Sequence, residues 1–185
     1  MKKNRLIRTL TTLALMLAGT AAAAQTTATG TINATLVHKG GIALVFNTDP
    51  AGIVLGNPGT GAASVNFGTV SAFGPLSSGV TRPSVTPASY TVQTFFDVNV
   101  LVGGGNSPNY TLAASLAAPA PTGFTYGVDT LTLTTTSQTI QTNAAYGTDV
   151  PHSLNLTIST AAPGAGGPAV GTPLSTTINF TATAN

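Results

Sequence analysis

The segment "SYTVQTFFDVNVLVG" (Ser89–Gly103) is the longest alternating stretch of the chain. Side chains that alternate with a period of two lie on opposite faces of a β-strand, so one face can pack on a core while the other meets solvent. The apolar face carries Tyr90, Val92, Phe96, Val98, Val100 and Val102. The other face carries Thr91, Gln93, Asp97 and Asn99. The segment therefore predicts a long strand with one buried face.

Further alternating runs, separated by Gly, Pro, Asn and Ser, surround this strand. The glycine-rich residues 103–106 predict a hairpin turn, and "NYTLAASL" (Asn109–Leu116) predicts the returning strand. Other strands are predicted at 31–37, 42–46, 52–55, 63–70, 124–128, 129–135, 137–142, 152–159 and 176–185. The Pro-, Ser- and Gly-rich residues 74–88 predict a long surface loop. Short strands at this spacing, without a helical period between them, predict an all-β fold that forms a two-sheet antiparallel β-sandwich.

The first 24 residues have the features of a secretory signal peptide. A basic head is followed by an apolar stretch at 13–21 and by the small residues Ala22, Ala23 and Ala24. The apolar stretch is too short to span a membrane. We therefore expect cleavage before Gln25, a single domain over residues 25–185, and export to the periplasm and then to the cell surface or the medium.

Removal of this leader changes the charge of the chain. Four of the six basic residues lie in it, so Lys39 and Arg82 remain against four aspartates, a net charge of −2. Nucleic-acid binding is not expected, because neutralising phosphates requires clustered Lys and Arg. The absence of cysteine excludes a disulfide framework and a lipid anchor. A neutral polar surface also repels other copies only weakly, which permits self-association.

The chain offers few residues for catalysis or for metal binding. His38 and His152 are the only histidines, and they lie far apart without cysteine or glutamate to complete a metal site. His152 has the parity of Leu154 and Leu156, so we expect it to face the core at a strand end. The aspartates stand singly beside turns, and there is neither a G-x-S-x-G elbow nor a phosphate loop. We therefore expect no enzymatic activity and no cofactor.

Both ends of the mature chain show strand alternation. At the C-terminus, "TTINFTATAN" (Thr176–Asn185) alternates almost to the last residue. At the N-terminus, residues 25–37 form a candidate donor arm whose one face carries Ala28, Gly30, Ile32, Ala34 and Leu36. The arm either pairs within its own sandwich or completes the sheet of another copy by β-strand addition, with Gly30 allowing close approach. Head-to-tail exchange of this kind does not close on itself and produces fibres.

Three segments resemble those of bacterial pilin subunits of the chaperone-usher and spore-coat-U-like group. They are "ATGTINATLVHKGG" at 28–41, "VNFGTV" at 65–70 and "INFTATA" at 178–184. The resemblance implies an incomplete immunoglobulin-like sandwich that is completed in trans, first by a periplasmic chaperone and then, at an outer-membrane usher, by a neighbouring subunit. Unlike many members of that group, this chain has neither a disulfide near the arm nor an aromatic residue close to the C-terminus.

The expected function is that of an exported structural subunit of a fimbria (pilus) or another adhesive cell-surface assembly, a homopolymer formed by strand exchange. One alternative is a monomeric secreted module that binds carbohydrate or a surface through the loop at 73–88. The absence of tryptophan and the strand positions of the tyrosines count against it. A second alternative is a small outer-membrane β-barrel, whose strands would need about ten residues each. Most of the predicted strands are shorter.

Overall fold

The alternating segments of the sequence form the strands of the fold. The computed structural model describes residues 41–104, 107–161, 170–171 and 173–185, and these ranges contain nine strands and no helix. Within the described chain, no helix is long and apolar enough to cross a membrane. The strands are β1 (Gly41–Asn47), β2 (Thr81–Val85), β3 (Ser89–Gly103), β4 (Asn109–Leu116), β5 (Phe124–Val128), β6 (Leu131–Thr132), β7 (Gln138–Ala145), β8 (Val150–Ser159) and β9 (Ile178–Ala184).

The strands form two antiparallel sheets. The larger sheet has six strands in the order β1-β3-β8-β5-β6, with β2 paired to β3 on the edge that β1 also uses. The smaller sheet has the order β7-β4-β9. The long strand predicted at 89–103 is β3, and it is the centre of the larger sheet because β1, β2 and β8 all pair with it.

The inner faces of the two sheets pack on each other, which confirms the predicted all-β antiparallel sandwich. The inward-facing residues of β4 alternate throughout as the sequence predicts, and those of β3 alternate from Val92 to Val100. The prediction that Val102 lies on the buried face is wrong, because this residue lies at the strand end and is 44% exposed. Phe46, Phe96 and Phe180 join β1, β3 and β9 with ring centroids 5.2 to 6.2 Å apart. The most deeply buried apolar residues are Val92, Val98, Val100, Tyr110, Leu112 and Val128.

The sandwich has two distinguishable ends. At the upper end, β1 begins opposite the end of β3 (Gly41 with Gly103), and β9 finishes opposite Tyr110. At the lower end, β3 begins opposite the end of β8, and Ile178 starts β9 opposite Leu116. β1 therefore runs from the upper to the lower end, whereas β9 runs from the lower to the upper end.

Two predicted strands are wrong, because residues 52–55 and 63–70 form loops joined only by an isolated bridge between Gly56 and Ser64. The first loop is held to β3 by a buried threonine: Ile53 N donates to Thr94 Oγ1 at 2.9 Å, and that hydroxyl donates to the Gly79 carbonyl at 2.9 Å. Gly52 packs so closely that an added Cβ would lie 1.9 Å from the Phe95 carbonyl oxygen. The apolar run thus anchors a loop instead of forming a ladder.

The predicted loop at 74–88 contains a strand that the sequence did not reveal. β2 includes Pro83, which has no N–H to donate and is tolerated because β2 is an edge strand with a register shift between Thr81 and Ser84. The predicted strand at 129–135 is shorter than expected and consists of β6 alone. The predicted signal peptide at 1–24, the strand at 31–37 and the donor arm at 25–37 lie outside the described residues.

Candidate functional site

The last strand of the chain has one edge that is unpaired within the described residues. β9 pairs with β4 over seven residues, from Leu116 opposite Ile178 to Tyr110 opposite Ala184. In the described part of the chain, no strand pairs with the other edge of β9. The N–H and C=O groups that point away from β4 are therefore a template to which another strand can add.

A groove of about 1340 Å³ opens beside this edge. Its floor is the inner face of the larger sheet, and its walls are the loop at 61–72, the segment at 173–177 and the starting residues of β9. The volume exceeds the roughly 1,000 Å³ upper range of sites for small molecules. It suits an extended peptide segment better. The floor includes Phe124, Tyr126, Leu154, Leu156 and Ile158.

The groove exists because the two sheets differ in width. Each strand adds about 4.7–4.9 Å to a sheet, so three strands cannot cover the inner face that the larger sheet presents. Leu154 and Leu156 of β8 are consequently only half-buried, although they point inward like Val98 of the neighbouring strand. Apolar inner-face residues thus remain accessible where a further strand of the smaller sheet would lie.

The groove is uncharged. None of the residues that line it, among those that the structure describes, is Lys, Arg, Asp, Glu or His. Burial raises the pKa of the phenols of Tyr90 and Tyr126, both of which line the groove, and the nearby Arg82 partly opposes this at Tyr90. Both phenols therefore stay neutral at physiological pH. The described lining of the groove is therefore apolar and neutral polar in character.

The lower rim of the groove carries exposed apolar side chains. Phe73, at the tip of the loop that follows the wall residues, is 79% exposed, and Leu174 on the opposite wall is 44% exposed. Arg82 holds the Phe73 loop, since its Nε donates to the Ser71 carbonyl at 3.0 Å and its Nη2 donates to the Gly74 carbonyl at 3.1 Å. The Ser71 hydroxyl also donates to the Phe73 carbonyl. The exposed ring is thus presented on an ordered loop.

The residues predicted to act in strand exchange are Ala28, Gly30, Ile32, Ala34 and Leu36, and all of them lie outside the described residues. The terminal strand at 176–185 is confirmed as β9. Sequence reasoning missed the wall at 61–72, because residues 63–70 within it were assigned to a strand. It also did not identify the inner face of β8 as the floor of the groove. Half-buried and fully buried leucines alternate with polar residues in the same way, so the sequence does not distinguish them.

His152 faces the core, as its parity predicts, and is 4% exposed. Its Nδ1 lies 2.8 Å from Asp129 Oδ2, and Asp129 also accepts a hydrogen bond from the Ser153 amide at 2.8 Å. The imidazole packs near Phe96, with ring centroids 5.9 Å apart. This arrangement ties the turn between β5 and β6 to β8 and has the character of a structural contact.

The aspartates do not all stand alone, contrary to the reading of the sequence. Asp149 Oδ1 accepts hydrogen bonds from Asn47 Nδ2 at 2.8 Å and from Asn99 Nδ2 at 2.9 Å. Burial raises the pKa of Asp97, the negative charges of Asp49 and Asp149 and a hydrogen bond with Asp49 raise it further, and His152 lowers it. In the described ranges, no group of three or more acidic, His or Cys side chains has the geometry to hold a metal ion.

Comparison with protein-family models, with curated proteins and with solved structures finds no match to this chain.

Proposed function

We propose that this chain is an exported structural subunit of a fimbria or a related cell-surface assembly, and that its copies are joined by strand exchange. One observation carries the proposal: the free edge of β9 lies beside an apolar, uncharged groove that is open to an added strand. An added strand would gain main-chain hydrogen bonds along β9, and its alternate side chains would fill the groove.

The donor in this proposal is the arm at 25–37 of a second copy. It contains no charged residue, which matches the uncharged groove. Ile32, Ala34 and Leu36 would point to the floor around Leu154 and Leu156, and Gly30 would permit close approach of the two backbones. The added strand would complete an immunoglobulin-like sandwich.

The direction of β1 bears on the kind of assembly that forms. If the arm runs antiparallel to β9, its last residues lie at the lower end of the acceptor. The donor chain continues from there into its own Gly41, which lies at the upper end of the donor. Copies then stack head to tail, which leaves the assembly open to growth. A parallel arm would bring two upper ends together and favour a closed, reciprocal dimer. The antiparallel arrangement is also the more stable one per residue.

The exposed groove also bears on the partners needed before assembly. A contiguous apolar patch of this kind on a free subunit invites non-specific association. A periplasmic chaperone that covers the groove, and an outer-membrane usher that receives the subunit, are therefore part of the proposal. The arm of the next subunit would replace the chaperone.

Deleting residues 25–36 tests the proposal. We expect the truncated chain to stay a folded monomer under conditions in which the chain at 25–185 forms fibres, as seen by electron microscopy and light scattering. A synthetic peptide of residues 25–37 should bind the truncated chain and raise its free energy of unfolding, by about 2.7 kcal/mol at a peptide concentration one hundred times Kd. A peptide with Ile32→Asp and Leu36→Asp is the matched control and should not bind.

Unchanged fibre formation by the truncated chain would refute the role of the arm. If the chain at 25–185 remains monomeric, and material sheared from the producing cells contains no filaments, the chain is instead a monomeric secreted binding module.

A further inference from the structure

We propose that the bodies of successive copies also touch each other, through an apolar patch at the upper end of one copy and the lower rim of the groove of the next. This contact rests on the proposed strand exchange but involves other residues. We define the upper patch as Leu101 and Ala43, and the lower rim as Phe73, Val170 and Leu174.

Exposed apolar residues occur at both ends of the sandwich, although not only there. Leu101 is 49% exposed near the end of β3, and the exposed Ala43 of β1 lies opposite it on the same face. On the lower rim, Val170 is 96% exposed, and with Leu174 it lines the groove. Both surfaces therefore carry exposed apolar side chains.

The length of chain between the arm and the body brings these two surfaces together. The arm ends at Val37 and the first described strand begins at Gly41, so residues 37–40 span at most about 14 Å. With the arm seated antiparallel to β9, its last residues lie at the lower end of the acceptor. The donor's Gly41 must then lie within about 14 Å of the acceptor's lower rim. The donor's upper patch lies on β1 and β3, close to Gly41.

A second copy of this chain is thus the partner that fits the lower rim. Its upper patch is brought close by the linker, is apolar like the rim, and is buried only when copies stack head to tail. The Phe73 loop is already fixed by the hydrogen bonds of Arg82 to the Ser71 and Gly74 carbonyls. Less conformational entropy is therefore lost when the contact forms.

Engineered cysteines test the contact directly, because the chain contains no cysteine of its own. Chains at 25–185 carrying Leu101→Cys and Leu174→Cys are mixed, allowed to assemble and oxidised. We expect a disulfide-linked dimer from the mixture and none from Leu101→Cys alone, since a disulfide needs Cα atoms within about 7 Å. Val54→Cys mixed with Leu174→Cys is the control, because Val54 is 78% exposed but lies on the loop beside the middle of β3.

A substitution measures the strength of the contact. Leu101→Ser should slow fibre growth about tenfold, a factor that corresponds to about 1.4 kcal/mol, while Val54→Ser should leave it unchanged. Binding of the 25–37 peptide to the truncated chain should be the same with and without Leu101→Ser.

The outcomes separate the two proposals. If the peptide binds and fibres form, but Leu101→Cys cross-links to itself or not at all, the end-to-end contact is refuted and strand exchange stands. If the peptide does not bind and no fibre forms, strand exchange fails and the contact fails with it.

Discussion

The closed core and the open groove are built from the same alternating strands, but they are covered differently. In the closed core, Val98 and Val100 of β3 face Tyr110 and Leu112 of β4, and each of these side chains is 0% exposed. In the groove, Leu154 and Leu156 of β8 point to the same side of the larger sheet and are only half-buried. The direction of a side chain is therefore the same in both regions, and only the opposing sheet differs.

This difference separates the residues that hold the fold from those available for assembly. Among the strands that the structure describes, β4 is paired on both edges, whereas β9 is paired on one edge. A core closed by β4 can stabilise the domain by itself, because buried apolar surface is the main favourable term in folding. The apolar inner face beside β9 becomes fully buried, and contributes to stability in the same way, only when another strand adds to β9. Under the proposed function, stability and assembly would therefore depend on different strands of one sandwich.

A matched pair of leucine truncations should show the largest difference between the two regions. In the arm-less chain, Leu112→Ala removes a fully buried side chain and should lower the free energy of unfolding by about 3 kcal/mol. Leu156→Ala, on the groove floor, should cost about 1 kcal/mol because its side chain is still partly in water. Urea denaturation of both variants measures these values.

In peptide binding, the two leucine substitutions should have the opposite order of effect. Leu156→Ala should weaken binding of the 25–37 peptide, whereas Leu112→Ala should not, once the fraction of folded protein is corrected for. If both substitutions lower the stability of the free chain equally, the groove floor is already covered, and the distinction between closed core and open groove is wrong.

A smaller effect is expected at the contact between His152 and Asp129, near Phe96 where the closed core meets the groove. Asp129→Ala leaves the buried Nδ1 of His152 without its partner and should lower the free energy of unfolding by about 2 kcal/mol. Asp129→Asn is the control, since it keeps an oxygen acceptor and tolerates the positive φ of 54° at this position. It should lose less than half as much in urea denaturation. Equal losses would assign the effect to the turn and not to the hydrogen bond.

Much of the fold could be predicted from the sequence, because alternation fixes the two faces of a strand wherever a run is long. β3, β4, β8 and β9 were all located in this way. The loops at 52–55 and 63–70 were not, because short apolar runs can anchor a loop through single residues. Leu55 is buried in the core while its neighbour Val54 is exposed, a pattern that a strand would share.

The candidate site was less predictable, because it depends on the relative width of two sheets. Alternation marks Leu156 and Leu112 in the same way, and only the order of the strands shows which one is covered. Thr94 is another example: it lies on the apolar face of β3, is 0% exposed, and holds two loops by hydrogen bonds that no sequence pattern indicates. The acidic cluster likewise joins residues that are distant in the chain.

The smallest effect concerns this cluster on the outer face, where Asp97 lies close to Asp49 and Asp149. Burial and the two neighbouring charges raise the pKa of Asp97 in the folded chain above its ordinary value of 3.8. The contribution of its protonation to stability is therefore fully present below pH 3.8 and is lost as the pH rises through the raised pKa. Asp97→Asn should thus be more stable than the natural chain at pH 7, by about 1 kcal/mol or less, and the difference should vanish at pH 3.5. Urea denaturation at both pH values measures it, and 1 M NaCl should shrink it because salt screens the repulsion. A difference that is the same at both pH values would assign the effect to the packing of Asp97 and not to its charge.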